Sequence, residues 1–369
     1  MAGEEKFRGP AGDPGPADPQ GQGGTGDSVI DAYVALPLQV ACHAVQDARD
    51  AAEARARMMA SLDRLEGQIR ASKAFIGPDC RLVVLPEYFM TGFPMGDTIA
   101  GWAAKACIRP DGPEYERMGE ICRRAAVYLA GNAYELDPAF PELYFQTSFI
   151  LDDRGKVVLR YRRLNSMFAP TPHDVWRRYL DVYGYEAVFP VARTPLGRLA
   201  AIASEEILYP EVARCLAMRG AEIFVHSTSE TAGPGDSPKD VAKRARAFEN
   251  CAYVISANSA GIRNTPIPAA SADGGSKVVD YTGHVLAAAG AGESMSAHAT
   301  IDLRALRRQR RRPGMLNMLA RQRFELYAPS YASFSFYPPD TMLHGAVERK
   351  HFLDRQCETI RRLEEMGIV

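Results

Sequence analysis

The stretch Arg81–Gly92, RLVVLPEYFMTG, joins a short apolar run to a proline, a carboxylate and two aromatic side chains. The run RLVVL has the length and the apolar, β-branched content of a buried strand. It ends directly at Pro86 and Glu87. Because rigid scaffolds present polar side chains to pockets at the ends of their strands, this stretch predicts a buried strand with Glu87 beside a pocket.

Two further segments place polar residues directly after a predicted strand. The strand at 157–161 leads into Arg162 and Arg163, and the strand at 199–203 ends at Ser204, six residues ahead of Pro210. Each signal alone is weak, since a serine or carboxylate in this position is usually a helix cap. Their order along the chain favours the hypothesis that Glu87, Arg163 and Ser204 share one site.

Apolar strand-like segments alternate with helical ones along the chain. Strands are predicted at 33–45, 81–85, 127–130, 145–151, 157–161, 199–203, 222–226, 253–258 and 297–302, with a hairpin at 277–288, and helices at 46–72, 115–126, 210–219 and 239–250. Short strands separated by helices, with hairpins among them, indicate an α/β protein with mixed sheets covered by helices.

The two ends of the chain differ from its middle. Residues 1–28 are rich in Gly, Pro, Asp and Gln, which predicts a disordered tail because such a segment buries little apolar surface. A folded domain is predicted at 29–303. Residues 304–369 are predicted to form a C-terminal extension that packs on the body or on a neighbouring subunit. The six arginines of Arg304–Arg312 are interpreted as a solvated helix face or a subunit contact.

Composition narrows the class of protein. Hydrophobic residues make up 46% and charged residues 24% of the chain, and the net charge is −1, so neither nucleic acid nor a membrane is expected as the main partner. No apolar run approaches the roughly 20 residues of a membrane helix, and no signal peptide is recognisable, so a cytoplasmic location is expected. The seven cysteines show no CxxC spacing and the histidines no metal-ligand spacing, so we predict reduced thiols, no metal and no cofactor.

The ordered motifs resemble the nitrilase (carbon–nitrogen hydrolase) superfamily over roughly residues 34–327. That family carries a Glu–Lys–Cys triad, with Glu after a strand in a PE-aromatic context, Lys in a YRK context, and Cys about six residues before a second PE. The matching stretches are LVVLPEYFMTG, DDRGKVVLRYRR, SEEILYPEVAR, RAFENCAYVISANSAG and GGSKVVDYTGHVLA. The resemblance implies a four-layer α-β-β-α sandwich with a C-terminal extension.

It also implies that Glu87, Arg163 and Ser204 occupy the triad positions, with two departures: serine stands at the cysteine position and arginine at the lysine position. In the family the Glu takes the proton of the thiol, and the thiolate attacks the amide or nitrile carbon. A serine hydroxyl is far less acidic than a thiol, so little turnover is expected by this route. Arginine keeps the positive charge but does not give up its proton.

Four other residues are predicted to bind substrate. Glu206 and Tyr88 flank the triad positions, and Asp174 matches weakly a second pocket carboxylate of the family. His226 ends a predicted strand near the expected site. Each has an ordinary structural alternative, such as a helix-start carboxylate for Glu206 and a core histidine for His226. His173 is ambiguous in the same way.

The resemblance implies hydrolysis of an amide or carbamoyl group of a small molecule, with a true nitrilase as an alternative, in a homo-oligomer of two or more subunits. Three explanations of Ser204 stay open. It is an engineered replacement that traps ligand in a parent amidase, a natural serine in a non-catalytic member that binds a ligand or partner, or a natural serine that is itself the nucleophile.

Overall fold

A computed structural model describes residues 30–231, 236–344 and 348–369. The predicted disordered tail at 1–28 lies outside the described residues. The strands are β1 Ala32–Pro37, β2 Cys42–His43, β3 Cys80–Val84, β4 Tyr128–Leu136, β5 Tyr144–Leu151, β6 Val157–Arg162, β7 Ala192–Thr194, β8 Gly197–Ala203, β9 Ile223–Ser227, β10 Tyr253–Ala257, β11 Ile262–Arg263, β12 Lys277–Val279, β13 Val285–Ala288 and β14 Ala299–Asp302. The α-helices are α1 Ala51–Ile76, α2 Ile99–Ala106, α3 Pro113–Ala125, α4 Trp176–Tyr183, α5 Pro210–Met218, α6 Pro238–Asn250, α7 Leu303–Arg311, α8 Ala328–Ser333 and α9 Lys350–Glu365.

The strands form two six-stranded mixed sheets of similar design. The first has the order β14-β1-β3-β4-β5-β6 and the second β13-β12-β10-β9-β8-β7. In each sheet the central strands β1-β3-β4 and β10-β9-β8 are parallel, and antiparallel strands are added at the edges. The carboxyl ends of β3, β8 and β9 are therefore available to present side chains at one end of the sandwich.

Alternating side chains of β3 show the layers. Leu82 and Val84 belong to the core between the two sheets, which also contains β8, β9, α5 and α6 residues. Val83 and Leu85 belong to the core shared with helices α1 and α3. Since neighbouring residues of a strand point to opposite faces, this strand is buried on both sides. The predicted four-layer α-β-β-α sandwich is confirmed.

The prediction of one strand over 33–45 is wrong. Strand β1 ends at Pro37, and the segment after it is buried irregular chain that contains the two-residue strand β2. The predicted helix start at residue 46 is also wrong, because α1 begins after Asp50, whose side chain accepts a hydrogen bond from the Glu53 amide. The apolar character of 38–45 reflects burial rather than strand structure, and the N-cap sets the start of the helix.

Helices α7 and α9 carry two of the contacts that the described chain beyond β14 makes with the body. In α7, Leu303 and Leu306 are buried, Arg307 pairs with Glu222, and Arg310 donates to the Cys251 carbonyl. The interpretation of this arginine run as a solvated face is therefore wrong for Arg307 and Arg310. In α9 the side chain of Phe352 is buried, while many apolar side chains of 315–336 are exposed.

No helix among the described residues is long and apolar enough to cross a membrane.

Replacing Leu82 by alanine is expected to lower the free energy of unfolding by about 2–5 kcal/mol, because the side chain is fully buried between the sheets and would leave a cavity. Urea unfolding followed by circular dichroism measures the change. The matched control is Leu353→Ala on α9, where the leucine is 58% exposed and the expected change is below about 0.5 kcal/mol. Equal losses for the two variants would contradict the assigned core.

Candidate active site

Glu87 lies just beyond the carboxyl end of β3 and is almost fully buried, with 1% of its surface exposed. Its Oε1 accepts hydrogen bonds from Gln146 Nε2 at 2.6 Å and from Arg163 Nη1 at 3.2 Å. Its backbone amide donates to the Thr228 carbonyl at 3.2 Å, which ties the end of β3 to the end of β9 in the other sheet. The buried carboxylate is thus held by a cation and an amide, and the Glu87 backbone is bound to the opposite sheet.

The turn after Glu87 explains the rest of the PEYFMTG motif. Tyr88 has a φ of 59°, and the amides of Thr91 and Gly92 both donate to its carbonyl oxygen. Gly92 has a φ of 70°, and a Cβ at this position would lie 2.5 Å from the Ala44 Cβ. Only glycine fits there without displacing the neighbouring chain.

Arg163 follows β6 and is 4% exposed. Its Nη1 donates to Glu87 and, at 2.6 Å, to Gln146 Oε1, its Nε donates to the Asn165 carbonyl at 2.7 Å, and its Nη2 pairs with Glu205. Four of its five N–H groups therefore have protein partners. The guanidinium lies between Glu87 at the end of one sheet and Glu205, the residue directly after Ser204.

Ser204 begins a short 3-10 helix, Ser204–Leu208, immediately after β8. Its φ of 47° is unusual for a residue with a side chain, a strained conformation that is frequent where the chain must present a functional group. Its carbonyl oxygen accepts a bond of 2.8 Å from His226 Nε2. Its hydroxyl oxygen lies 3.2 Å from Lys239 Nζ, which is also 3.2 Å from Thr228 Oγ1. A lysine from α6 therefore reaches the predicted nucleophile.

Glu206 lies close to the triad, but its carboxylate is used by the protein. Oε1 accepts from the amides of Leu164 and Asn165 at 2.7 and 3.0 Å, and Oε2 accepts from the Tyr161 hydroxyl at 2.8 Å. These bonds join the turn that carries Arg163 to the turn that carries Ser204. The geometry gives Glu206 a positioning role, and its predicted contact with substrate stays a prediction.

His226 is fully buried, with Nδ1 2.8 Å from Ser256 Oγ and Nε2 at the Ser204 carbonyl. Because a carbonyl only accepts, Nε2 carries the proton and Nδ1 accepts from the serine. Burial, with the nearby Lys243 charge, lowers the pKa of His226 to about 3, so the ring is neutral. His226 thus fixes the backbone of Ser204, and its predicted contact with substrate stays a prediction.

The other two predicted substrate contacts lie in different surroundings. Asp174 is buried at a helix start, where it accepts from the Thr171 amide and hydroxyl at 2.9 and 2.8 Å and from Thr341 Oγ1 at 3.0 Å. Tyr88 stacks on Tyr134 with ring centroids 5.7 Å apart, and burial followed by the Glu87 charge raises its pKa. Tyr88 is therefore beside Glu87, whereas Asp174 is bonded to Thr171 and Thr341; the predicted contacts of both with substrate stay predictions.

Sequence reasoning missed Gln146, Glu205, Thr228 and Lys239. Gln146 carried a usable signal, since it is a large polar residue inside the apolar strand YFQTSFIL and buried polar groups need partners. Glu205 is part of the motif SEEILYPEVAR, and no role was predicted for it. Lys239 gave no signal, because its contact with Ser204 spans 35 residues of sequence and depends on how α6 packs.

A cavity of about 510 Å³ adjoins this cluster. It meets the cluster at Asn165 and Glu205, which both bind Arg163. Its walls are rich in aromatic side chains, contributed by Trp176, Tyr185, Phe189, Tyr209, Tyr337 and Phe352. Tyr337 and Phe352 come from the C-terminal extension, and His173 and Asp174 also line the wall. Among the described residues no group of three or more His, Cys, Asp or Glu side chains could hold a metal ion.

Comparison with known proteins gives the family. The family model described as "Carbon-nitrogen hydrolase" matches residues 40–311, most of the chain. The chain belongs to the carbon–nitrogen hydrolase family. The match includes all three predicted triad positions.

Individual relatives of the chain are distant in sequence. A Schizosaccharomyces pombe protein named "Probable nitrilase" is 25% identical over 226 residues, 61% of this chain and 77% of that protein. A Bacillus thuringiensis formamidase is 28% identical over 212 residues, 57% of this chain, and the match spans 59% of the formamidase. The crystal structure of a carbon–nitrogen hydrolase from Helicobacter pylori superposes with a TM-score of 0.61 at 19% identity, covering 81% of this chain and 98% of that one. The structural likeness shows a shared fold.

Glu206 is expected to make the stability of the protein depend on pH. Burial raises the pKa of its carboxyl from 4.5 to about 7, although Arg163 and the Tyr161 and backbone hydrogen bonds oppose the shift. The folded state therefore holds the Glu206 proton more tightly than the unfolded state does. The free energy of unfolding is highest below the unfolded-state pKa of Glu206 and falls as the pH rises through the folded-state pKa. From about pH 5 to about pH 8 the wild type should lose about 1–3 kcal/mol relative to Glu206→Gln.

Urea unfolding of both proteins across this pH range measures the difference. The control is Glu186→Gln, whose side chain is 90% exposed and whose removal should leave the pH profile of the wild type unchanged. If Glu206→Gln and the wild type have parallel profiles, Glu206 does not bind a proton in this range.

Proposed function

We propose that this chain hydrolyses the C–N bond of a small-molecule amide or carbamoyl compound, with Ser204 as nucleophile and Glu87 and Arg163 beside it. The observation that carries the proposal is the meeting of three strand ends. The Glu87 carboxylate contacts the Arg163 guanidinium, and Arg163 contacts Glu205, which follows Ser204 in the chain. Membership of the carbon–nitrogen hydrolase family supports the reaction type.

The proposed reaction has two halves. The Ser204 hydroxyl attacks the amide carbon, and the amine or ammonia leaves, which gives an acyl ester of Ser204. Water then cleaves the ester and restores the hydroxyl. Glu87, held by Gln146 and Arg163, provides a carboxylate that orients this water, and the remaining N–H of Arg163 Nη2 can bind the carbonyl oxygen as negative charge develops.

The aromatic cavity indicates the class of amide. A volume of about 510 Å³ lies within the roughly 300–1,000 Å³ of ordinary ligand pockets and far exceeds the size of formamide. Its aromatic walls favour an apolar or aromatic group on the substrate. We infer a substrate with such a group in the cavity and its amide at Ser204.

A second candidate is a non-catalytic protein that binds the amide. What favours it is Arg163, whose Nε, Nη1 and Nη2 all have protein partners, together with the low acidity of a serine hydroxyl. Binding of an amide measured by calorimetry, without release of product over a panel of amides, carbamoyl compounds and nitriles, would favour this candidate. A homo-oligomeric state and a cytoplasmic location stay predictions.

The nucleophile is tested at position 204. Ser204→Ala should lower the rate of ammonia release from primary amides by about 10³-fold or more, because no acyl intermediate can form. Ser204→Cys should retain hydrolysis, since a thiol can occupy the same place. Ser296→Ala, which removes an exposed serine, is the control and should be as active as the wild type. An alanine variant with full activity would rule out Ser204 as nucleophile.

The cavity is tested with substrates of different size. We expect kcat/KM for phenylacetamide to exceed that for acetamide by about 10–100-fold, since burying a phenyl ring stabilises the bound state by roughly 25 cal/mol per Å². Trp176→Ala should reduce this ratio and leave acetamide hydrolysis nearly unchanged. A preference for acetamide or formamide in the wild type would contradict the inferred substrate class.

A further inference from the structure

Lys239 is the one positively charged group that the described residues place against the Ser204 hydroxyl. It lies in the first turn of α6, which is capped by Ser237, whose hydroxyl accepts from the Asp240 amide. From there Nζ comes within 3.2 Å of Ser204 Oγ and 3.2 Å of Thr228 Oγ1. The helix therefore brings an amine to the atom that must lose a proton for attack on an amide.

Other candidate bases near Ser204 are committed elsewhere. His226 uses Nε2 for the Ser204 carbonyl and Nδ1 for Ser256, and burial lowers its pKa to about 3. Arg163 keeps its proton under all ordinary conditions. Glu87 Oε1 already accepts two hydrogen bonds, and a carboxylate is a weak match for a serine hydroxyl.

Lys239 is not held in an ion pair by any described carboxylate. The neighbouring acids are taken by other lysines. Lys243, one turn further along α6, pairs with Glu230 at 2.6 Å and with Asp240 at 3.2 Å, and Lys277 pairs with Asp240 at 2.7 Å. The Lys239 amine is thus left to the two hydroxyl groups, Ser204 and Thr228. A hydroxyl can donate to a neutral amine as well as accept from an ammonium.

We propose that Ser204 and Lys239 form the nucleophile–base pair of this site, with Lys239 Nζ as the base; this rests on the proposed amide hydrolysis. Lys239 is then a catalytic residue, and Thr228 positions its amine. The serine at position 204 and the arginine at position 163, which both depart from the family triad, are then explained together. Arginine at 163 holds Glu87 in place but cannot exchange protons, and the exchangeable nitrogen comes instead from residue 239.

The proton transfers balance over one turnover. The lone pair of Lys239 Nζ takes the Ser204 proton as Oγ bonds to the amide carbon. The C–N bond then breaks, and the leaving nitrogen takes that proton from the Lys239 ammonium, which leaves an acyl ester and a neutral lysine. In the second half Lys239 takes a proton from water as its oxygen attacks the ester carbon. When the C–Oγ bond breaks, Lys239 returns the proton to Ser204, and the carboxylic acid departs.

The pair is tested by chemical labelling of Ser204 with phenylmethanesulfonyl fluoride, because sulfonylation needs an activated serine but no knowledge of the substrate. Peptide mass spectrometry gives the rate of modification at residue 204. Lys239→Arg keeps the charge and Lys239→Ala removes it, and both should slow labelling by about 10²-fold or more. Ser204→Ala should show no labelling of this peptide, and Lys156→Arg, an exposed lysine, should react like the wild type.

Rescue separates a base from a structural lysine. Added methylamine should restore part of the labelling rate in Lys239→Ala and leave Ser204→Ala unreactive, whereas a merely structural role would not respond to the amine. Thermal unfolding of Lys239→Arg at the wild-type temperature would show that the fold is intact. Labelling of Lys239→Arg at the wild-type rate, or of Lys239→Ala without any response to amine, would overturn the pair.

Ammonia release from the same variants keeps the two proposals apart. Amide hydrolysis that persists at the wild-type rate in Lys239→Arg overturns the Ser204–Lys239 pair and leaves the amidase proposal standing. Labelling that depends on Lys239 in a protein that hydrolyses no amide supports the pair and overturns the amidase proposal. Loss of both labelling and hydrolysis in the arginine variant, with an unchanged unfolding temperature, supports both.

Discussion

The buried contact between Glu87 and Arg163 is the constraint on which the site depends. Both side chains are at most 4% exposed, and an unpaired charge in such a place would be strongly destabilising. The pair is stable because Gln146 bonds to both partners, with its amide nitrogen on Glu87 and its amide oxygen on Arg163. The carboxylate, the guanidinium and the amide therefore fix the ends of β3, β5 and β6 relative to one another.

The second sheet is joined to this cluster by polar contacts at the same end of the sandwich. Glu205 binds Arg163, Glu206 binds the amides that follow Arg163, and the Glu87 amide binds the Thr228 carbonyl. His226 Nε2 donates a hydrogen bond to the carbonyl oxygen of Ser204. These bonds hold the polar groups of the cluster in place from both sheets. The strained φ of Ser204 is tolerated because its surroundings fix the turn from several sides.

Replacing cysteine and lysine by serine and arginine changes which groups can move protons. A thiol loses its proton readily, whereas a hydroxyl needs a close, strong acceptor. Arginine provides a permanent charge with several fixed donors, which suits a structural role between two carboxylates. An amine delivered by α6 would restore the proton exchange that these changes remove. The aromatic cavity meets the cluster at Asn165 and Glu205 and is partly built by the C-terminal extension.

The sequence by itself predicted the mixed α/β class, because buried strands are apolar runs. Its strand-end motifs are local, so their resemblance to the family was enough to propose Glu87, Arg163 and Ser204 as triad positions. It did not determine where the strand at residue 33 ends, since burial of irregular chain and strand burial give the same apolar pattern. It also placed Glu206 and His226 as substrate contacts. Tertiary structure decided that both are hydrogen-bonded to the protein, and that Lys239 meets Ser204. Contacts between residues far apart in the chain depend on how helices pack on sheets, which no local pattern records.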